Sequence, residues 1–380
     1  MKAGRFCAIA LLGSLLLVAA PAQSSAAGTG KAFRSSLKRI MKAPDGPPGI
    51  AVVIVRDGKR QFFWRGKGNL RTNTAPKMRR PIRIASVAKA YSGAVALSLV
   101  DRGKLKLTDT IGRLLPGLLP KAGKVDLGQL LQHTSGLSDY IKDKRFREIL
   151  GSDPSRYMTP RRILSFVKDK KLKFRPGSRY KYSDSDNLVI GLMAEKVTGA
   201  SYEKLLRRVI GRRIKMQRTS MPRTIGMPTP FLHGYNVEKG QSPQDISEFI
   251  NPALAWASGG IVSTLPDLSR FFRGYVGGKL FGGQVIRAQR DWISGSSQPP
   301  GPGVNSAGMG LYRYRSKCGT VYGHTGSFPG YRIFAASSAD GSRSIAYVAN
   351  AQIVPPDNGS QQISALIRRS QVAAVCHALG

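Results

Sequence analysis

Short apolar runs rich in β-branched residues lie near both ends of this chain, and helical patterning fills the stretch between them. Residues 49–55 read GIAVVIV, Arg56-Asp57-Gly58-Lys59 is a turn, and 61–65 resumes as a strand, which predicts a hairpin. Further strands are expected over 259–263, 309–314, 319–323, 331–337 and 344–350. The Gly-, Pro- and Ser-rich stretch from Ser294 to Gly308 reads as a loop, and 360–375 as a helix. Residues 81–85 are extended, and a helix starts near Ser86 with Val87, Tyr91, Ala94, Val95 and Leu99 apolar. It stops at Arg102-Gly103, a basic last turn followed by a C-cap glycine. Helical segments are expected over 126–132, 160–169, 187–198 and 202–215. A chain that leaves a sheet for helices and returns to it forms one sheet domain with an inserted one. The expected fold class is therefore α/β (α+β): an antiparallel β-sheet flanked by helices with a mainly α-helical insert domain. Residues 31–95 and 256–380 would form the sheet domain, and 96–255 the helical one.

The charge excludes little about the fold and much about the surroundings. Sixty Lys and Arg against 21 Asp and Glu give +39, while 41% hydrophobic residues suffice for a core. Such a charge steers anionic partners toward the surface. The clusters Arg207-Arg208 with Arg212-Arg213, and Arg79-Arg80, are candidate patches. No nucleic-acid-binding motif is present.

Residues 1–22 read as a signal peptide: Lys2 and Arg5 precede an apolar stretch over 6–20, and Ala20-Pro21-Ala22 offers a cleavage site. A second candidate site lies near Ala27, and the competing reading is an uncleaved anchor. Export would put the chain in the periplasm, on the cell wall or outside the cell. Cys7 would leave with the signal peptide. Cys318 and Cys376 would remain in an oxidising compartment, where they are expected to pair; two separate buried thiols are the alternative. The four histidines show no metal-ligand spacing, and no metal or cofactor is expected.

The chain lacks a G-x-S-x-G elbow, a P-loop and H-E-x-x-H. It contains Ser-x-x-Lys five times: Ser35/Lys38, Ser86/Lys89, Ser165/Lys168, Ser178/Lys181 and Ser201/Lys204. On a helix, residues i and i+3 share a face, so the pattern sets an amine beside a hydroxyl. A serine nucleophile needs such a neighbour. Only Ser86 sits where an extended segment meets a long apolar helix.

The residues Ile84-Ala85-Ser86-Val87-Ala88-Lys89 resemble the first box of the penicillin-recognising serine hydrolases, which include class C β-lactamases, D-alanyl-D-alanine carboxypeptidases and related esterases. Five more segments resemble that family in its order: Gly103 to Asp109, the LLQHTSGL of 130–137, Pro176-Gly177 followed by Tyr182-Ser183-Asp184, the SGGIVST of 258–264, and Gly323-His324-Thr325-Gly326-Ser327. The resemblance implies a β-lactamase/transpeptidase-like fold. Ser86 would be the acylated nucleophile, and Lys89 the general base or the group that holds one in place. Tyr182 would relay the proton to the leaving group, with Tyr180 as its rival. Asp184, His324, Thr325, Gly326, Ser327 and Trp256 would line the substrate site. The backbone N–H groups of Ser86 and Ser327 would form the oxyanion hole. The His133-Thr134-Ser135-Gly136 segment reads as a structural turn.

One departure stands out. The second box of the family ends in asparagine, which donates to a substrate carbonyl, whereas Asp184 when ionised only accepts. Asp184 would instead pair with Lys89 and keep it charged, which weakens the case for peptide or β-lactam recognition and leaves ester chemistry open. The function implied is an exported serine hydrolase, foremost D-alanyl-D-alanine carboxypeptidase-like. An esterase or β-lactamase is the alternative, and a non-catalytic basic envelope-binding protein stands outside the enzyme class. Small peptide, ester or β-lactam substrates are expected. Anionic envelope polymers or a lipid surface are expected as partners, and nucleic acid is not.

Overall fold

The computed structural model describes Met1, residues 26–352 and residues 358–380. The expected signal segment, apart from Met1, lies outside the described residues. Among the described residues no helix is long and apolar enough to cross a membrane.

The chain enters through α1 (Ala26–Met41), which the sequence reading did not anticipate, and turns into the hairpin of β1 (Gly49–Arg56) and β2 (Lys59–Gly66). A 3-10 turn, Ala85–Val87, leads into α2 (Ala88–Asp101). Short helices and loops follow as far as α3 (Asp184–Thr198), which starts three residues before the expected 187. After α4 (Leu265–Val276) the chain builds β3 (Val304–Gly308), β4 (Leu311–Ser316), β5 (Gly319–Phe328), β6 (Tyr331–Ser337) and β7 (Ser344–Ala349), and it ends in α5 (Asn358–Leu379).

The sheet is antiparallel throughout, in the order β2-β1-β7-β6-β5-β4-β3 with the two-residue strand Ile293–Ser294 at the far edge. The N- and C-terminal parts of the sheet therefore meet one strand in from its β2 edge, where β1 pairs with β7 and sets Val53 against Ala346. Both faces of β1 are buried, which explains an apolar run without alternation. Ile50, Val52 and Ile54 join Phe33, Leu37 and Ile40 of α1 and Ile363 and Ile367 of α5 on one face. Ala51, Val53 and Val55 join Leu268, Phe271 and Phe272 of α4 on the other.

Two expectations are corrected by pairing. The stretch expected as a loop over 294–308 ends in β3, because β4 supplies the ladder partner that overrides the Gly- and Ser-rich composition. The expected strand over 259–263 shrinks to Val262–Ser263; Trp256–Gly259 is a helical turn that packs against α2 and α3.

Twelve of the fourteen residues of α2 are buried, so it is a core helix with no solvent face. The expected boundary after residue 95 falls inside it. Gly93 is what lets it pass the β3–β4 turn, since a Cβ there would meet the Gly310 Cα at 2.8 Å. Ser92 ties α2 to α3 by donating to Asn187 Oδ1 at 2.6 Å.

Cys318, at the β4–β5 turn, is bonded to Cys376 of α5 across 58 residues, with Cα atoms 5.0 Å apart. The bond staples the terminal helix to the sheet. Cys318→Ser is expected to cost about 4 kcal/mol through regained loop entropy in the unfolded chain. A urea midpoint equal to that of the oxidised protein would show that the staple carries no stability.

Candidate active site

Ser86 is the one residue between 81 and 90 that is not buried. It stands on the 3-10 turn at the mouth of α2, directly after Ala85, whose φ is +54°. Positive φ is uncommon outside glycine, and residues held there cluster at functional sites. His133 (+58°) and Trp256 (+35°) are held the same way on two neighbouring segments.

Lys89, the second residue of α2 and three residues after Ser86, has its side chain 2% exposed, and its three N–H donors match three acceptors. Nζ reaches Ser86 Oγ at 3.1 Å, Asp184 Oδ1 at 2.6 Å and the Ser258 carbonyl at 2.8 Å. A buried charge needs such a shell, and Asp184 is its ion-pair partner. The same Nζ sits 5.0 Å from the centroid of the Tyr182 ring.

Tyr182 is buried, and its hydroxyl makes no full hydrogen bond among the described residues, with the Ser86 hydroxyl as a polar neighbour. Burial pushes its phenol well above the usual range, the Asp184 charge adds to this, and the Ser86 hydroxyl opposes it. The phenol is therefore protonated at rest. Tyr180, the rival, has its hydroxyl engaged elsewhere: it donates to the Ser296 carbonyl at 2.6 Å and meets Tyr312 Oη at 2.9 Å.

The turn 133–136 is a structural junction. His133 Nδ1 lies 2.7 Å from Asp186 Oδ2, and Ser135 Oγ donates to Asp186 Oδ1 at 2.6 Å. Asp186 is on α3, two residues beyond Asp184, so this turn pins the helix that carries the lysine's partner. The His133 ring also packs against Tyr182 with centroids 4.6 Å apart.

The opposite wall is β5. Gly326 permits its approach: a Cβ there would fall 2.7 Å from the Ile84 carbonyl oxygen and 3.2 Å from Ser86 N. Ser327 follows at once and is exposed. His324 is buried with its ring centroid 6.5 Å from that of Tyr182. Its Nδ1–H donates to the Thr325 carbonyl at 2.5 Å, which leaves Nε2 as a buried acceptor without a partner among the described residues. Burial holds His324 down at about 3, against the backbone hydrogen bond and helped by Lys89 and His133, so the ring is neutral. This wall thus presents no formal positive charge from His324.

Two of the expected residues stand apart. Thr325 is buried, and its hydroxyl donates to the Pro299 carbonyl at 2.5 Å. Trp256 is buried against Tyr202, with centroids 5.1 Å apart, and against Gly191 of α3. It lines a separate cavity of about 230 Å³ with Glu195 and Met221.

Two participants were missed. The Ser258 carbonyl is backbone and leaves no trace in residue identity. Asp139 follows the 130–137 segment, its carboxylate accepts from Ile141 N at 3.3 Å, and nothing in the sequence connects it with Asp184. Burial first, and the Asp184 charge second, raise Asp139 to about 7, against the pull of Lys89 and Lys142. Below that pH it is neutral; above it, a second carboxylate charge stands near Asp184 and Lys89. For an anionic reactant, kcat/KM is therefore expected to fall roughly 3- to 10-fold as pH rises through about 7. Asp139→Asn should flatten that limb; an unchanged profile would take Asp139 out of the site.

Comparison with known proteins shows the family and the fold. A family model described as Beta-lactamase matches residues 37–366. The chain is 28% identical over 247 residues to the D-alanyl-D-alanine-carboxypeptidase/endopeptidase AmpH of Escherichia coli (strain K12), a match covering 62% of this chain and 59% of AmpH. The match thus spans less than two thirds of that relative's length. Among solved structures, a D-stereospecific amidohydrolase from Streptomyces sp. has a TM-score of 0.76 at 25% identity, covering 87% of this chain and 97% of that one. The D-amino acid amidase from Ochrobactrum anthropi SV3 has a TM-score of 0.78 at 21% identity, covering 91% and 98%, and shares the fold.

Proposed function

Because the chain belongs to the β-lactamase family, we propose that it is an exported serine hydrolase that works through an acyl-enzyme on Ser86. The observation that carries this reading is the contact of Lys89 Nζ with both Ser86 Oγ (3.1 Å) and Asp184 Oδ1 (2.6 Å). Lys89 as an ammonium orients Ser86 and stabilises charge growing on Oγ. Oγ attacks the acyl carbon while its proton passes to the Tyr182 oxygen. Tyr182 in turn gives its own proton to the leaving atom, so the phenol ends the step as it began. The C–leaving-group bond breaks, and an ester to Ser86 remains. Water then cleaves that ester by the reverse relay. The backbone N–H groups of Ser86 and Ser327 receive the oxyanion.

The substrate class proposed is a D-alanyl-D-alanine-type peptide, supported by the similarity to AmpH. A second reading is hydrolysis of esters or amides that lack a free carboxylate. It is favoured by the neutral His324 and by the carboxylates Asp139 and Asp184. Release of D-alanine from an N-acylated D-Ala-D-Ala peptide, set against hydrolysis of its methyl ester, separates the two. A faster rate on the free acid supports the first reading, and turnover of the ester alone overturns it. Asp184→Asn restores a donor to a substrate amide carbonyl, and acylation by penicillin should rise about tenfold, the worth of one hydrogen bond, in a less stable protein because Lys89 loses its counter-charge. An unchanged acylation rate would show that Asp184 does not govern recognition.

A further inference from the structure

A groove of about 900 Å³ runs between α1 and β2, and it shares no residue with the cluster around Ser86. Lys31, Arg34 and Lys38 lie on one exposed face of α1, and Arg65 comes from β2. No carboxylate among the described residues lines it. Its floor is Phe63, which is 5% exposed and roofed by Arg34, whose guanidinium carbon sits 4.6 Å from the ring centroid. Beside it, His377 donates from Nε2 to Gln61 Oε1 at 2.8 Å. Burial, with Arg56 and Arg34 behind it, holds that histidine below its usual range, so it adds no charge. The opposite face of the same edge strand is also basic: Arg60 is held below the usual range by burial and then by Arg270, Arg79 and Arg273.

We propose that this groove is a binding site for a linear polyanion without bases, a polymer of closely spaced phosphate or carboxylate groups. Lys31, Arg34 and Lys38 succeed one another at about 5 Å along the helix axis and cover about 10 Å. A single small anion cannot meet all three, whereas neighbouring groups of an extended polyanion can. A flat bilayer cannot enter a groove walled by a helix on one side and a strand on the other. Single-stranded nucleic acid relies on exposed aromatic rings for stacking, and Arg34 covers the ring here.

The test measures affinity for linear inorganic polyphosphate across a salt series, using the full mature chain. Lys31→Gln/Lys38→Gln/Arg65→Gln removes three cations and leaves Arg34 on its ring, so the fold is preserved. The control, Lys168→Gln/Lys171→Gln/Arg175→Gln, removes three exposed cations elsewhere. The groove variant should lose at least tenfold in affinity, and its log K versus log salt slope should fall by about two. The control should lose less than threefold. Equal losses in both variants would overturn the site in favour of diffuse attraction by net charge. Binding to phosphatidylglycerol vesicles but not to polyphosphate would overturn it in favour of a membrane surface. Tighter binding of oligo(dT) than of polyphosphate would overturn it in favour of nucleic acid.

Discussion

Ser86→Ala should lower kcat by at least about 10³-fold, the scale on which removal of a nucleophile acts, while leaving the protein folded. The substitution deletes one oxygen and nothing else that the core uses. The residues around it from 81 to 90 are buried and stay packed. Lys89 keeps two of its three acceptors, Asp184 and the Ser258 carbonyl, so the loss in stability should be about 1 kcal/mol or less. Intact-protein mass spectrometry with penicillin over time gives the direct reading. The parent chain should gain the mass of the ligand and Ser86→Ala should not. An adduct that survives in Ser86→Ala would place the nucleophile elsewhere. With no adduct on either chain, a short-chain ester assay decides between an enzyme and a retired fold that only binds.

Lys89→Ala should cost both activity and stability. Its ammonium is the counter-charge for Asp184, whose side chain is only 13% exposed. Removing one partner of a buried pair strands the other, at about 3–5 kcal/mol. Asp184 is left without its counter-charge and Ser86 loses its orienting donor, so kcat should fall about 10³-fold as well. The double variant Lys89→Met/Asp184→Asn separates the effects. Replacing both charges should recover most of the stability and none of the turnover. If the single variant melts like the parent, the pair is not a buried charge couple. If the double variant regains activity, the lysine is not needed for chemistry.

Much of the site was legible because its first element is local. Ser86 and Lys89 are three residues apart, and helical geometry alone sets them side by side. The β1–β2 hairpin is legible for the same reason, from a four-residue turn between two apolar runs. On β5, Gly326 reaches the Ser86 backbone and Ser327 follows it, exposed, while the hydroxyl of Thr325 is committed to Pro299. No spacing rule foretells that commitment, because it depends on which face of a twisted strand the 299 loop covers.

The rest was decided at longer range. Lys89 meets Asp184 across 95 residues of chain and Ser258 across 169. Asp139 acquires its high pKa from burial and from a carboxylate on another helix. The stretch ending at Gly308 becomes a strand because Leu311–Ser316 lies beside it. The amino-acid sequence by itself determined the side-by-side placement of Ser86 and Lys89, the sheet-forming runs at the two ends and the excess of positive charge, since each follows from spacing or composition within a few residues. Only the tertiary structure decided the charge state around Lys89, the acidity of Asp139, the retreat of Trp256 into the core and the groove beneath α1. Each of these is a matter of what water is excluded from and which distant group is brought near, and burial and Coulomb interaction act through space with no regard for separation along the chain.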